Sequence, residues 1–173
     1  MPLIGRLIPG DHIMTTFAEN LDDLRQKIRH VGEQTHAGMA LVAAAVLEDE
    51  LLLALLTKMR PLNKALYDRL FEGYGPLRSF AAKIDLSYAL KIVNRQQYDD
   101  LNTVRKIRNQ FAHSKDQLNF NSAEIQAHFQ SFKPVERVTD FQRFYLKKIM
   151  EIDAHIDELL KGTYASAKST APG

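Results

Sequence analysis

The chain contains no cysteine. That removes disulfides, thiolate nucleophiles and Cys-based zinc sites together. Glycine and proline are scarce, at 8 and 6 in 173 residues, so few loops are expected. No uncharged apolar run is long enough to span a bilayer. The longest apolar block, Met39 to Leu56, is interrupted by Glu48, Asp49 and Glu50. The opening "MPLIGRLIPGDHI" is too short and too broken by Gly5, Pro9, Gly10 and Asp11 to be a secretory h-region. With no cysteine and no such leader, a cytoplasmic location is expected. The charge is not strongly one-sided: the net value is +2, whereas a dedicated DNA-binding domain usually carries a marked basic face. No internal repeat, alternating strand pattern or phosphate loop is present.

What remains is helical periodicity, in a chain long enough for one domain with a substantial core. Residues 1–13 read as an irregular leader, with Met14 a plausible alternative start. Residues 14–161 read as a single helical domain, and 162–173 as a small, polar, disordered tail. A helix capped by Thr15 or Thr16 is expected to carry the stripe Phe17, Leu21, Leu24, Ile28 and Val31. A second, from His36 to Met59, is apolar on almost every side and should lie centrally. Pro61 should open a third, ending at Phe71. After the break "EGYGP" (Glu72–Pro76), a fourth is expected from Pro76 to Val93 and a fifth from Gln96 to His113. Ser122 should cap a short helix to Gln130. A capping box of Thr139 and Gln142 should start the last, with Gly162 as its stop. The expected fold is all-α, an antiparallel helical bundle with short additional helices.

Three features bear on function. The stretch Phe80–Arg95 superficially resembles a DNA-binding helix-turn-helix. Its turn would fall near Asp85, where Ile84, Asp85 and Leu86 all suit a continuous helix. The proposed recognition face, Ser87, Tyr88 and Lys91, has few groups for base edges. One unbroken core helix is therefore expected, and direct sequence-specific DNA binding is not. Second, the triplet Glu48-Asp49-Glu50 spans roughly 200° of its helix, so at least one carboxylate must face other helices. Lys83, Arg105 and Arg108 are candidate partners in an ion-pair network that fixes helix register. An acidic pocket lining is the competing reading. The histidines, His12, His30, His36, His113, His128 and His155, are scattered and make no HxxxH or HExxH pattern, so no metal and no cofactor is implied.

The third feature is "RKIRNQFAHS" (Arg105–Ser114). Asn109 and His113 share a helix face. Arg108 and His113 lie about 140° apart around the axis. They converge only if the helix distorts or two copies meet across a symmetric dimer. Convergent, they would suit metal-independent RNA cleavage: His113 as acid or base, Arg108 on the phosphate. Otherwise they are a helix end whose arginine pairs with the acidic triplet, the reading that spacing alone favours.

Arg108, a polar residue, three more and His113 resemble the R-x4-H motif of the HEPN superfamily of small all-α domains. That resemblance implies Arg108 and His113 as a catalytic pair at a dimer interface, with Asn109 supporting. A broader resemblance rests on three ordered blocks: "LEDELLLALL" (Leu47–Leu56), "LFEGYGPLRSFAAKIDLSYAL" (Leu70–Leu90) and "VRKIRNQFAHS" (Val104–Ser114). These are similar to the mannitol operon repressor (MtlR) family over roughly residues 20–160. The family resemblance implies an all-helical transcriptional repressor of a mannitol or related sugar-alcohol uptake operon, acting through a protein partner and with no DNA-binding motif of its own. A homodimer fits either resemblance, RNA only the ribonuclease alternative, and a membrane neither.

Overall fold

The most apolar stretch of the chain forms the central helix. In a computed structural model that describes residues 35–114, 117–133 and 137–169 (side chains as far as 162), α1 runs His36–Lys58. Thr35 caps it, its hydroxyl accepting the Gly38 amide at 3.0 Å. Leu47, Leu51 and Leu55 are fully buried along it, and α1 packs against three others. The leader, residues 1–13, and the helix expected after Met14 lie outside the described residues. Among the described residues the fold is all-α, with no strand. None of these helices is long and apolar enough to cross a membrane.

Short elements follow. Helix α2 is Lys64–Phe71, starting three residues after the expected Pro61 because Asn63 supplies the cap, accepting the Leu66 amide at 2.9 Å. Its Phe71 joins Leu52 and Leu62 in a small cluster at the C-terminal end of α1. Helix α3 is Phe80–Ala89, capped by Ser79. It therefore begins later than the expected Pro76, which lies in the preceding turn.

The helix α3 also stops four residues before the expected Val93, and the reason is a C-cap without glycine. Lys91 adopts φ 58°. Its amide donates to Tyr88 O at 3.0 Å and that of Ile92 to Ser87 O at 2.9 Å. This pair of bonds is the Schellman arrangement, with buried Ile92 as the apolar residue that accompanies it. Leucine and lysine carry no stop signal, so periodicity reads straight through them. No turn occurs at Asp85, where a helix-turn-helix would place one; that residue is mid-helix.

Helix α4 is Arg95–His113, opened by a capping box of Asn94 and Gln97. Leu101, Val104, Ile107 and Phe111 form its buried stripe. Helix α5, Ala123–Phe129, packs on α4. Ser122 precedes it as expected, but its hydroxyl accepts the Asn119 amide at 3.0 Å in place of a helical one. Helix α6, Phe141–Ser169, lies along α1. Asp140, not Thr139, opens it, with Oδ1 accepting the Arg143 amide at 3.0 Å. The helix continues through Gly162 where a stop was expected. A glycine inside a helix costs only about 1 kcal/mol relative to alanine, which by itself does not end a long helix.

The core is one cluster in which every helix but α2 takes part. Phe120, Phe129, Phe132, Phe144 and Tyr145 close one end with ring centroids 5.3–6.4 Å apart. The Tyr145 hydroxyl donates to Ala40 O at 3.1 Å, tying α6 to the first turn and a half of α1.

Because Lys91 holds a left-handed conformation that L side chains resist, Lys91→Gly is expected to raise stability by about 1 kcal/mol. Urea denaturation measures this, and a loss of stability would show that Lys91 is held by more than its backbone.

Candidate functional site

Glu48 is the acid of the triplet that meets Lys83 and Arg108. Its position on α1 turns it toward α3 and α4. There Lys83 Nζ donates to its Oε1 at 2.7 Å, and Arg108 Nη2 lies 3.5 Å from its Oε2. Lys83 is 7% exposed, so its ammonium must find acceptors inside the protein. A second is Arg78 O at 3.0 Å. Arg108 is half-buried, and its guanidinium lies 5.8 Å from the centroid of the Phe80 ring.

Its neighbours in the triplet behave differently. Asp49 is half-buried, and its pKa is raised from 3.8, first by burial and then by the adjacent Glu48, with Lys83 opposing. Glu50 is buried. Arg105 does not join Glu48. It stands three residues before Arg108, about 60° away around α4. Its Nη2 donates instead to Asn102 Oδ1 at 3.3 Å on the same helix. Burial pushes the Tyr145 phenol far up, with the nearby Arg108 charge opposing.

The two ends of the R-x4-H motif part company. Arg108 faces inward to Glu48 and Phe80, while His113 is exposed as the last residue of α4. Asn109 is half-buried between them. Within one chain the three do not gather around a common cleft. Other histidines are more engaged than scattered surface residues would be. The His36 ring packs 5.5 Å from Phe120, and His155 Nε2 is 3.1 Å from Ile92 O. Among the described residues no group of three or more His, Asp or Glu converges as a metal ion would need.

The Glu48 network has a further member that sequence reading misses. Arg78, whose carbonyl holds Lys83, also donates from Nη1 to Gly73 O at 2.8 Å. The turn at 72–76 is thereby joined to the network. Gly75 amide donates to Glu72 O at 2.7 Å, Leu77 amide to Leu70 O at 2.8 Å, and Arg78 amide to Gly75 O at 3.1 Å. Residues from all three sequence blocks, Glu48, Lys83 with Arg78 and Gly73, and Arg108, are thus parts of one bonded unit.

A second buried pair also escaped prediction. Lys148 Nζ donates to Asp100 Oδ2 at 3.3 Å and to Lys133 O at 3.0 Å, with both side chains almost fully buried. The ammonium lies 5.7 Å from the Phe144 ring and 5.9 Å from the Phe132 ring. Burial raises the Asp100 pKa, with Lys148 opposing. The available signal was positional. Asp100 stands four residues before Val104 and Lys148 three after Tyr145, both on apolar stripes.

The comparisons with known proteins agree with one another. The sequence matches the family model MtlR, described as Mannitol repressor, over residues 21–164. The mannitol operon repressors of Escherichia coli K12 and of Escherichia coli O6:H1 are each 32% identical over 56 residues. That match covers 32% of this chain and 29% of either relative, under a third of their length. Among solved structures, the X-ray structure of the MtlR-HPr complex from Escherichia coli matches with a TM-score of 0.53 at 19% identity. The match covers 81% of this chain and 97% of that one. At that identity the likeness is one of fold.

Two predictions follow from the network's geometry. Glu48→Ala strands a buried ammonium and is expected to cost about 3 kcal/mol. Arg108→Ala removes a partly solvated pair and should cost about 1 kcal/mol or less, and His113→Ala, at an exposed site, less than about 0.5 kcal/mol. Urea midpoints rank the three, and a larger loss for His113→Ala than for Glu48→Ala would overturn the structural role. For Asp49 the raised pKa means that the fold favours the protonated carboxyl. The stability this contributes is complete below the ordinary value of 3.8 and is lost as pH rises through the raised value. Asp49→Asn should therefore gain stability relative to wild type at pH 7 and lose that advantage below about pH 4. Melting curves of both proteins across that range check the sign.

Proposed function

The chain belongs to the MtlR family of mannitol repressors, and on that premise we propose that it regulates transcription through a protein partner and not through DNA contacts of its own. The operon is one for uptake of mannitol or a related sugar alcohol. The partner is HPr, because the solved relative of the same fold is a complex of MtlR with HPr. The observation that carries this reading is the Arg108–Glu48–Lys83 network. It commits charged residues from all three blocks to holding the helices together, which leaves recognition to the surface. The continuous α3 through Asp85 supports the absence of a DNA-reading turn.

The metal-independent ribonuclease reading, with Arg108, Asn109 and His113 as its catalytic group, asks for an arginine free to hold phosphate beside a histidine. Here the Arg108 charge is met by Glu48, and His113 lies on another face of α4. With α4 regular through His113, a homodimer that joined two such faces is the arrangement that would restore the pair.

Calorimetric titration of the purified protein with purified HPr, paired with a gel-shift assay on the operon control region, tests the proposal. Saturable binding of HPr and no sequence-specific shift by the protein alone are expected. Tight, sequence-specific DNA binding by the protein alone would sink it. So would RNA cleavage in EDTA that disappears in His113→Ala.

A further inference from the structure

Tyr74 is fully exposed, at 106% of its reference area. An exposed apolar side chain means little by itself, since most proteins carry a few. What distinguishes Tyr74 is the way the chain presents it. It occupies the tip of a turn whose backbone is closed by three hydrogen bonds, Gly75 to Glu72, Leu77 to Leu70 and Arg78 to Gly75. On one side Gly73 takes φ 55°, a left-handed conformation that glycine adopts without strain. On the other, Gly75 lies so close to the end of α2 that a Cβ would stand 2.4 Å from Leu70 O. The Arg78 guanidinium then clamps Gly73 O, and Lys83 clamps Arg78 O to Glu48 in the core. A ring at the tip of a floppy loop would lose its freedom on binding. One held on a backbone tied to a partly buried ion pair has already lost the backbone share of that freedom, which is the arrangement that favours affinity.

We propose that Tyr74 is the docking anchor for the protein partner, and that the Glu48–Lys83–Arg78 chain exists to hold the turn that presents it. The inference rests on the partner-dependent reading above and adds the surface. The complementary site is an apolar pocket the size of one aromatic ring, as tyrosine hot spots require. Its rim supplies acceptors, because the exposed Arg69 and Arg78 beside the turn offer donors only. In this assignment Glu48 and Lys83 are positioning residues that never touch the partner, whereas Arg78 both holds the turn and faces the partner's rim.

The experiment is calorimetric titration of purified HPr into the purified full chain, with wild type, Tyr74→Ala and Gly75→Ala, each checked by thermal unfolding. Tyr74→Ala removes a side chain that buries nothing in the free protein, so its Tm should stay at the wild-type value. Its Kd should weaken by about thirtyfold or more, the loss typical of an aromatic hot spot. Gly75→Ala keeps the ring but displaces its backbone, and should weaken Kd by about tenfold or more. Equal affinity of wild type and Tyr74→Ala overturns the anchor while leaving the partner reading intact. Failure of the wild type itself to bind HPr overturns both. If Tyr74→Ala keeps its HPr affinity but loses retention of a labelled RNA, the ring stacks on bases and the proposal is overturned.

Discussion

A lysine ammonium inside a helical bundle has to be neutralised where it sits, and much of this molecule is arranged around that need. Lys83 is on a short helix, α3, whose own hydrogen bonds contribute little stability in isolation. Its Nζ reaches across to Glu48 on the central helix and down to the carbonyl of Arg78. The attraction is strong because water is largely excluded, and the penalty for losing either acceptor is correspondingly large. Such a pair adds less to net stability than an apolar contact of the same size. What it supplies is register: only one rotation and one height of α3 on α1 lets the three groups meet. The turn before α3 inherits that position through Arg78.

The same interaction changes the meaning of the R-x4-H motif. An arginine that serves catalysis has to present its donors to a substrate. Arg108 spends part of its charge on Glu48 and lays its plane near Phe80. His113, five residues on, has turned to another face and is solvated. The motif is thus two separate residues in one chain, joined by spacing and parted by the pitch of the helix. Elsewhere on α4, Lys148 and Asp100 solve a similar problem. That ammonium also takes Lys133 O, which Gln96 engages as well, so the connection between α5 and α6 is stapled to α4 and α6.

Where side-chain type and local spacing decide the outcome, the chain is legible. The long apolar run does form the central helix, and α4 ends at His113 as its stripe predicts. The acidic triplet does contain a carboxylate that faces other helices, as three residues covering more than half a turn must. The misses have definite causes. The end of α3 depends on Lys91 taking a left-handed φ, for which lysine gives no signal. The start of α6 depends on which of two adjacent capping residues faces the first amides. Arg105 and Arg108 are both cations on one helix, and only the direction of each side chain separates the one that meets Glu48 from the one that does not. Lys148 and Asp100 look like ordinary surface charges until the apolar stripes around them are counted.

Local chemistry in the sequence alone therefore determined the all-α class, the position of most helices and the resemblance carried by three separated blocks. It also determined that these 173 residues supply no thiol. Tertiary structure alone decided that those blocks are one object. Glu48 and Lys83 are 35 residues apart in sequence, and no periodicity relates positions on different helices. Their meeting depends on how α1, α3 and α4 pack, and packing is a property of shapes filling a shared core. The projection of Tyr74 was decided in the same way, by the close approach of Gly75 to Leu70 O and by a buried charge that holds the turn behind it.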